Sequence, residues 1–111
     1  MKTLPIRLTP GQDLRAALEA AVLAQNCRAA FVLSGIGSLA TAGIRLAGAA
    51  QPTRLTESME ILTLSGTVAA GGDKTASHMH MAISTATGQV LGGHVAPGCT
   101  VLTTAEVLLA L

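Results

Sequence analysis

The sequence predicts an α+β domain, with one main helix near the N-terminus and a mostly antiparallel sheet after it. Three observations carry that expectation. Residues 14–22 repeat apolar side chains with a helical period. The later apolar segments are short or alternate with polar residues, as strands do. A chain of 111 residues has room for one hydrophobic core and none for a doubly wound sheet.

The helix comes first. In TPGQ, Thr9 offers an N-cap hydroxyl, Pro10 a first helical residue and Gln12 the reciprocal partner of a capping box. Leu14, Ala17, Leu18, Ala21 and Val22 then form one apolar stripe, with Arg15, Glu19 and Gln25 off it, and the helix is expected to end near Asn26. Two strands follow: AAFVLS (29–34), closed by Gly35 and Gly37, and a segment in which Ala42, Ile44 and Leu46 alternate with Thr41, Gly43 and Arg45. The polar QPTRLTES (51–58) leads into MEILTLSGTVAA (59–70), apolar on both faces and so expected at the centre of the sheet. AGGDKTAS (70–77) reads as a turn or loop. HMHMAIS, QVLGGHV and CTVLTTAEVLLAL supply two or three more strands, for about six or seven in all. The sequence contains no repeat or linker, so residues 1–111 read as a single domain.

Composition narrows the function classes. Half of the residues are hydrophobic and 12% are charged, against about 25% charged in soluble domains, which leaves little charge to cover an isolated surface and favours a homo-oligomer. Five scattered arginines, two lysines and a net charge of +1 form no basic stripe, and Phe31 is the sole aromatic residue, so the balance argues against nucleic acid binding by this chain alone. Every apolar run is broken well before the roughly 20 residues of a spanning helix. Pro5 and Arg7 stand where the apolar middle of a secretory signal would be, so a cytoplasmic chain is expected. Cys27 and Cys99 sit among apolar neighbours and form no CxxC pair, which suits reduced thiols.

All three histidines, His78, His80 and His94, fall in HMHMAISTATGQVLGGH. On a strand His78 and His80 share a face with Ala82 and Ser84, while Met79, Met81 and Ile83 take the other and meet the core. Their α-carbons would be roughly 6.5–7 Å apart, close enough for both rings to reach one ion. Ala86, Thr87 and Gly88 fit a three-residue hairpin loop with glycine in the left-handed region; Thr85 then opposes Gln89 and His80 faces His94. Gly92 falls opposite Ala82, and a bulge at Gly92 and Gly93 would spoil this register. Three imidazoles without a thiolate suit zinc, with nickel, cobalt or iron as alternatives, and leave a coordination position open. An open zinc site supports either binding or hydrolysis by a metal-bound water, and hydrolysis would need an acid or base nearby. Glu60 and Glu106, the carboxylates inside expected strands, are the candidates for orienting a histidine from behind. A protein partner or small ligand is compatible with such a site, and the sequence names neither.

GIGSLA (35–40) matches the GxGxxA dinucleotide fingerprint, but the residues after Leu39 alternate like a strand instead of opening a helix. Gly35 and Gly37 are therefore read as a tight structural turn.

Taken in order, PGQDL, SGIGSL, MEILTLSGTV, HMHMAIS, GQVLGGHV and TTAEVLL resemble the PPC domain, the domain conserved in plants and prokaryotes, over almost the whole chain. The resemblance implies an antiparallel sheet of about seven strands, assembly as a homotrimer, and a metal-binding unit at His78, His80 and His94. In plants the domain follows AT-hooks, and this sequence has no Arg-Gly-Arg-Pro core, so DNA binding is not carried over. Of the plant Gly-Arg-Phe-Glu-Ile-Leu segment used for partner contacts, ESMEIL keeps only Glu60, Ile61 and Leu62. A cupin is excluded, because Ile83 and Ser84 occupy the region where its glutamate ligand would follow the HxH.

Overall fold

The computed structural model describes residues 1–70 and 77–111. Its elements are β1 (Thr3–Leu8), α1 (Leu14–Ala24), β2 (Ala29–Arg45), β3 (Thr53–Ala69), β4 (His78–Thr85), β5 (Val90–Val95) and β6 (Thr100–Ala110). The fold is α+β, as expected, with one helix and a sheet of order β1-β6-β2-β3-β4-β5 in which every pairing is antiparallel. The end of β2 also pairs with β5 through Ile44↔Val95 and Arg45↔His94, so β2, β3, β4 and β5 close on themselves.

The sheet has six strands, against about six or seven from the segments and about seven from the resemblance: residues 29–45 form one strand instead of two, and Thr3–Leu8 is a strand that was not expected. The tight turn expected at Gly35 and Gly37 is corrected accordingly: both glycines lie inside β2. They are there because neighbouring strands come too close for a side chain. A Cβ on Gly37 would sit 2.6 Å from Ala105 Cα and from the Thr104 carbonyl oxygen, and one on Gly35 would meet Leu64 at 3.0 Å. Glycine in a strand signals close approach as readily as it signals a turn. The ladder between β2 and β6 slips register on either side of these residues, at Val32/Ser34 and Gly37/Leu39, which bends the long strand.

The helix starts later than the capping box suggested. Gly11 has φ +86, incompatible with an α-helix, and its N–H donates to the Val101 carbonyl of β6. The Thr9–Gln12 pair still forms, with the Thr9 N–H donating to Gln12 Oε1 at 2.8 Å, but it closes a turn. Asp13 is the N-cap instead, accepting the Ala16 N–H at 3.0 Å. At the other end Asn26 takes φ +57 and ends the helix. Leu14, Leu18 and Val22 from the expected stripe are fully buried and pack into the core with Val32, Leu39, Ile44, Ile83, Val101 and Leu109.

Both cysteines are free thiols. Cys99 is buried, accepts the Gly43 N–H at 3.3 Å, and burial pushes its pKa up, keeping it protonated. Among the described residues no helix is long and apolar enough to cross a membrane. The loop expected over 70–77 lies mostly outside the described residues.

Gly37→Ala is expected to destabilise the fold by about 2 kcal/mol or more, because the obstructing atoms are backbone and cannot rotate away. Urea denaturation of the variant beside the parent chain checks this.

Candidate metal centre

Strand alternation places the histidines. Met79, Met81 and Ile83 are 2%, 3% and 0% exposed and belong to the core, which turns His78 and His80 to the outer face of β4. The hairpin loop is the one anticipated: the Thr85 N–H donates to the Gln89 carbonyl at 2.8 Å, the Gly88 N–H donates to the Thr85 carbonyl at 2.9 Å, and Gly88 has φ +84. The Thr85 hydroxyl oxygen accepts the Gln89 N–H, which stiffens the turn. From there the register runs without a bulge to Ala82↔Gly92 and His80↔His94. Gly93 permits the closure on β2, since a Cβ there would lie 2.6 Å from the Arg45 carbonyl oxygen.

The three rings converge. Their centroids are 4.9 Å apart for His78 and His80, 5.1 Å for His78 and His94, and 4.5 Å for His80 and His94. One ring nitrogen from each lies within 4.8 Å of the others. Three nitrogens about 2.0–2.1 Å from one tetrahedral zinc would be roughly 3.3 Å apart, against a spread of up to 4.8 Å here. The chemistry of the donor set fits zinc or a neighbouring divalent transition metal.

Behind His78, the Ser77 hydroxyl donates to Glu19 Oε1 at 2.7 Å and its oxygen accepts the Ala69 N–H at 2.9 Å. Glu19 also accepts from Arg15 Nε at 3.0 Å. The helix thereby fixes the start of β4. An open cavity of about 590 Å³ adjoins His78 and His94, with Arg15, Arg45, Ser77 and Pro97 also in its walls. The pKa of His94 lies below the ordinary imidazole value, first because the ring is partly withdrawn from water, then because the Arg45 guanidinium and the other two imidazoles repel a proton. A neutral ring is the form that ligates a metal.

Glu60 and Glu106 are not behind these rings, which corrects the expectation. They line a different cavity, of about 640 Å³, with Ser38 and Thr103. Glu60 pairs with Ser84, four residues along β4 from His80, a separation of about 13 Å at the rise of a strand. Glu106 forms an exposed ion pair with Arg7 at 3.6 Å. Arg45 is the site residue that reading the sequence missed. Its alternation with Ile44 was legible, but its place opposite His94 depends on a pairing between strands about fifty positions apart.

The sequence model described as the Plants and Prokaryotes Conserved (PCC) domain matches residues 1–111. The chain belongs to this family. The fold is that of a solved plant- and prokaryote-conserved (PPC) protein from Pyrococcus horikoshii, with a TM-score of 0.77 at 24% identity over 100% of this chain and 79% of that one, and a Salmonella protein described as hypothetical shares 39% identity with a TM-score of 0.88 over 97% of this chain and 75% of that one. A protein from Archaeoglobus fulgidus, described as metal-containing, shares 29% identity with a TM-score of 0.76 over 99% of this chain and 79% of that one. The bifunctional protein GlmU of a Synechococcus strain is 44% identical over 110 residues, and the match spans 99% of this chain but 17% of that protein.

The lowered His94 pKa makes the stability of the metal-free PCC domain depend on pH. Unfolding releases the imidazole to its ordinary value of 6.5, so the unfolded chain binds more protons and stability rises with pH. The contribution is complete above 6.5 and is lost as the pH falls through the folded value. The thermal midpoint without metal is expected to fall between about pH 7 and pH 5, and to fall less in His94→Asn.

Proposed function

We propose that the protein is a homotrimeric PCC-domain module that binds one divalent transition metal ion, zinc in the first instance, through His78, His80 and His94. The observation that carries this reading is the meeting of three ring nitrogens within 4.8 Å from two arms of one hairpin. The Archaeoglobus relative, described as metal-containing, supports it. So does the open cavity, which leaves room for the exchangeable position of a three-ligand site. The match to 17% of a larger bifunctional protein supports the role of an accessory module, one that serves other proteins by binding and assembly.

Hydrolysis by a metal-bound water is the alternative, and it needs a general acid or base beside the ion. Glu60 and Glu106 line another cavity, and Glu19 is engaged by Arg15 and Ser77. Binding is therefore the reading adopted. A net charge of +1 with five scattered arginines argues against a row of phosphates as the ligand, so no nucleic acid partner is proposed.

The trimer reading rests on the outer face of β2, β3 and β6. Phe31 and Ile36 are 53% and 57% exposed there, with Leu62, Leu102 and Leu108 also uncovered. Scattered apolar residues are ordinary on a monomer, but these lie on three adjoining strands of a chain that is only 12% charged. Further copies of the same chain are the occupants proposed.

Protein purified without a histidine tag and dialysed against zinc is expected to hold about one ion per chain by elemental analysis, and His80→Ala to hold almost none. Less than about 0.1 ion per chain in the parent protein would overturn the metal reading. For the assembly, light scattering is expected to give three times the chain mass. Ile36→Asp is expected to give monomers, because a carboxylate buried without a partner costs several kcal/mol.

A further inference from the structure

Three neutral imidazoles bring no negative charge to a divalent ion. Arg45 adds a cation beside them, because its pairing with His94 puts both side chains on the outer face. Arg45 has no carboxylate partner among the described residues, and its Nη1 makes a long donation to the Ala49 carbonyl oxygen at 3.4 Å. Glu57 Oε1 accepts the Ala86 N–H at the hairpin tip, and Glu60 and Glu106 line a separate cavity. Arg15, on another wall of the histidine cavity, is paired with Glu19. A loaded site would thus carry an uncompensated positive charge with one side open.

A guanidinium presents a planar fork of donors that matches the oxygens of a carboxylate or phosphate, and a three-histidine ion keeps a position for an oxygen ligand. The cavity, about 590 Å³, falls within the range that accepts small organic ligands. We propose that this cavity is the binding site of a small oxyanion, a carboxylate or phosphate group, held jointly by the metal at His78, His80 and His94 and by the Arg45 guanidinium. The inference deepens the metal reading and rests on it. It also names what the module binds: a small anionic metabolite-sized molecule, not a polymer.

The test uses the full chain loaded with cobalt(II), whose visible absorption reports its ligands. Cobalt content is measured first, then the protein is titrated with inorganic phosphate, with acetate, and with neutral acetamide. A saturable spectral change is expected with at least one of the anions and none with acetamide. Arg45→Gln is expected to weaken anion binding by about tenfold or more at unchanged cobalt content, the loss of one charge-assisted contact. Arg45→Lys, which keeps the charge and loses the fork, is expected to fall between, and it carries the comparison if Arg45→Gln does not fold. Full cobalt content with no saturable response to either anion, or equal affinity in the variants, overturns the anion site and leaves the metal reading standing. A chain that takes up no cobalt overturns both.

Discussion

Between β4 and β5 a slip of one residue would turn His80 and His94 to opposite faces and dissolve the cluster, because side chains alternate along each strand. Two separate constraints prevent it. At the tip, Thr85, Gly88 and Gln89 close a loop whose left-handed residue is a glycine, so the pairing starts from a defined point. Along the strands, Met79, Met81 and Ile83 are buried, and a slip would bring His78 and His80 into their places. Placing an imidazole in that apolar core without a hydrogen-bond partner costs about 1–3 kcal/mol by mutational measures. The site is therefore a by-product of a register that the core demands.

The second arm of the arrangement is the return of β5 to the end of β2. The Ala96 N–H donates to the Gly43 carbonyl at 2.9 Å and the Gly43 N–H donates to Cys99 Sγ at 3.3 Å. The Thr41 hydroxyl donates to the Gly98 carbonyl at 2.8 Å. Asp13 joins the helix to the same segment, because one carboxylate oxygen accepts the Gly98 N–H at 2.7 Å while the other caps the helix. Each such bond contributes about 1 kcal/mol, and together they hold Arg45 beside His94. The positive character of the site is thus built by backbone closure, with the arginine carried along.

How much of this was legible in the sequence follows from how local each signal is. The hairpin loop, the shared face of His78 and His80 and the partnership of His80 with His94 all depend on residues within one hairpin, and all are present. The helix stripe was legible for the same reason, while its start was not: TPGQ fits a capping box locally, but Gly11 is drawn into a hydrogen bond with Val101, ninety positions away. Gly35 and Gly37 carried an ambiguous signal, since a turn and a close crossing both demand glycine, and only the position of Leu64 and Ala105 decides between them. Glu60 and Glu106 were singled out as carboxylates inside expected strands, yet strand membership alone does not give the distance to the histidines.

The outer face that carries the histidines is continuous with the apolar surface assigned to assembly. Ala110, Phe31, Thr67 and His78 form one row across β6, β2, β3 and β4. Two strand spacings, about 10 Å, separate Phe31 from His78. In the proposed trimer a copy that covers Phe31 would stand at the rim of the metal centre without occupying it, narrowing one approach while the side bounded by Arg45 and Pro97 stays open. Access to the ion would then be governed by the guanidinium side of the cavity, which favours an anion over a cation of the same size. In the proposed trimer, assembly and ligand choice would follow from one surface: its apolar half would recruit copies of the chain, and its cationic half would be left to meet the solvent.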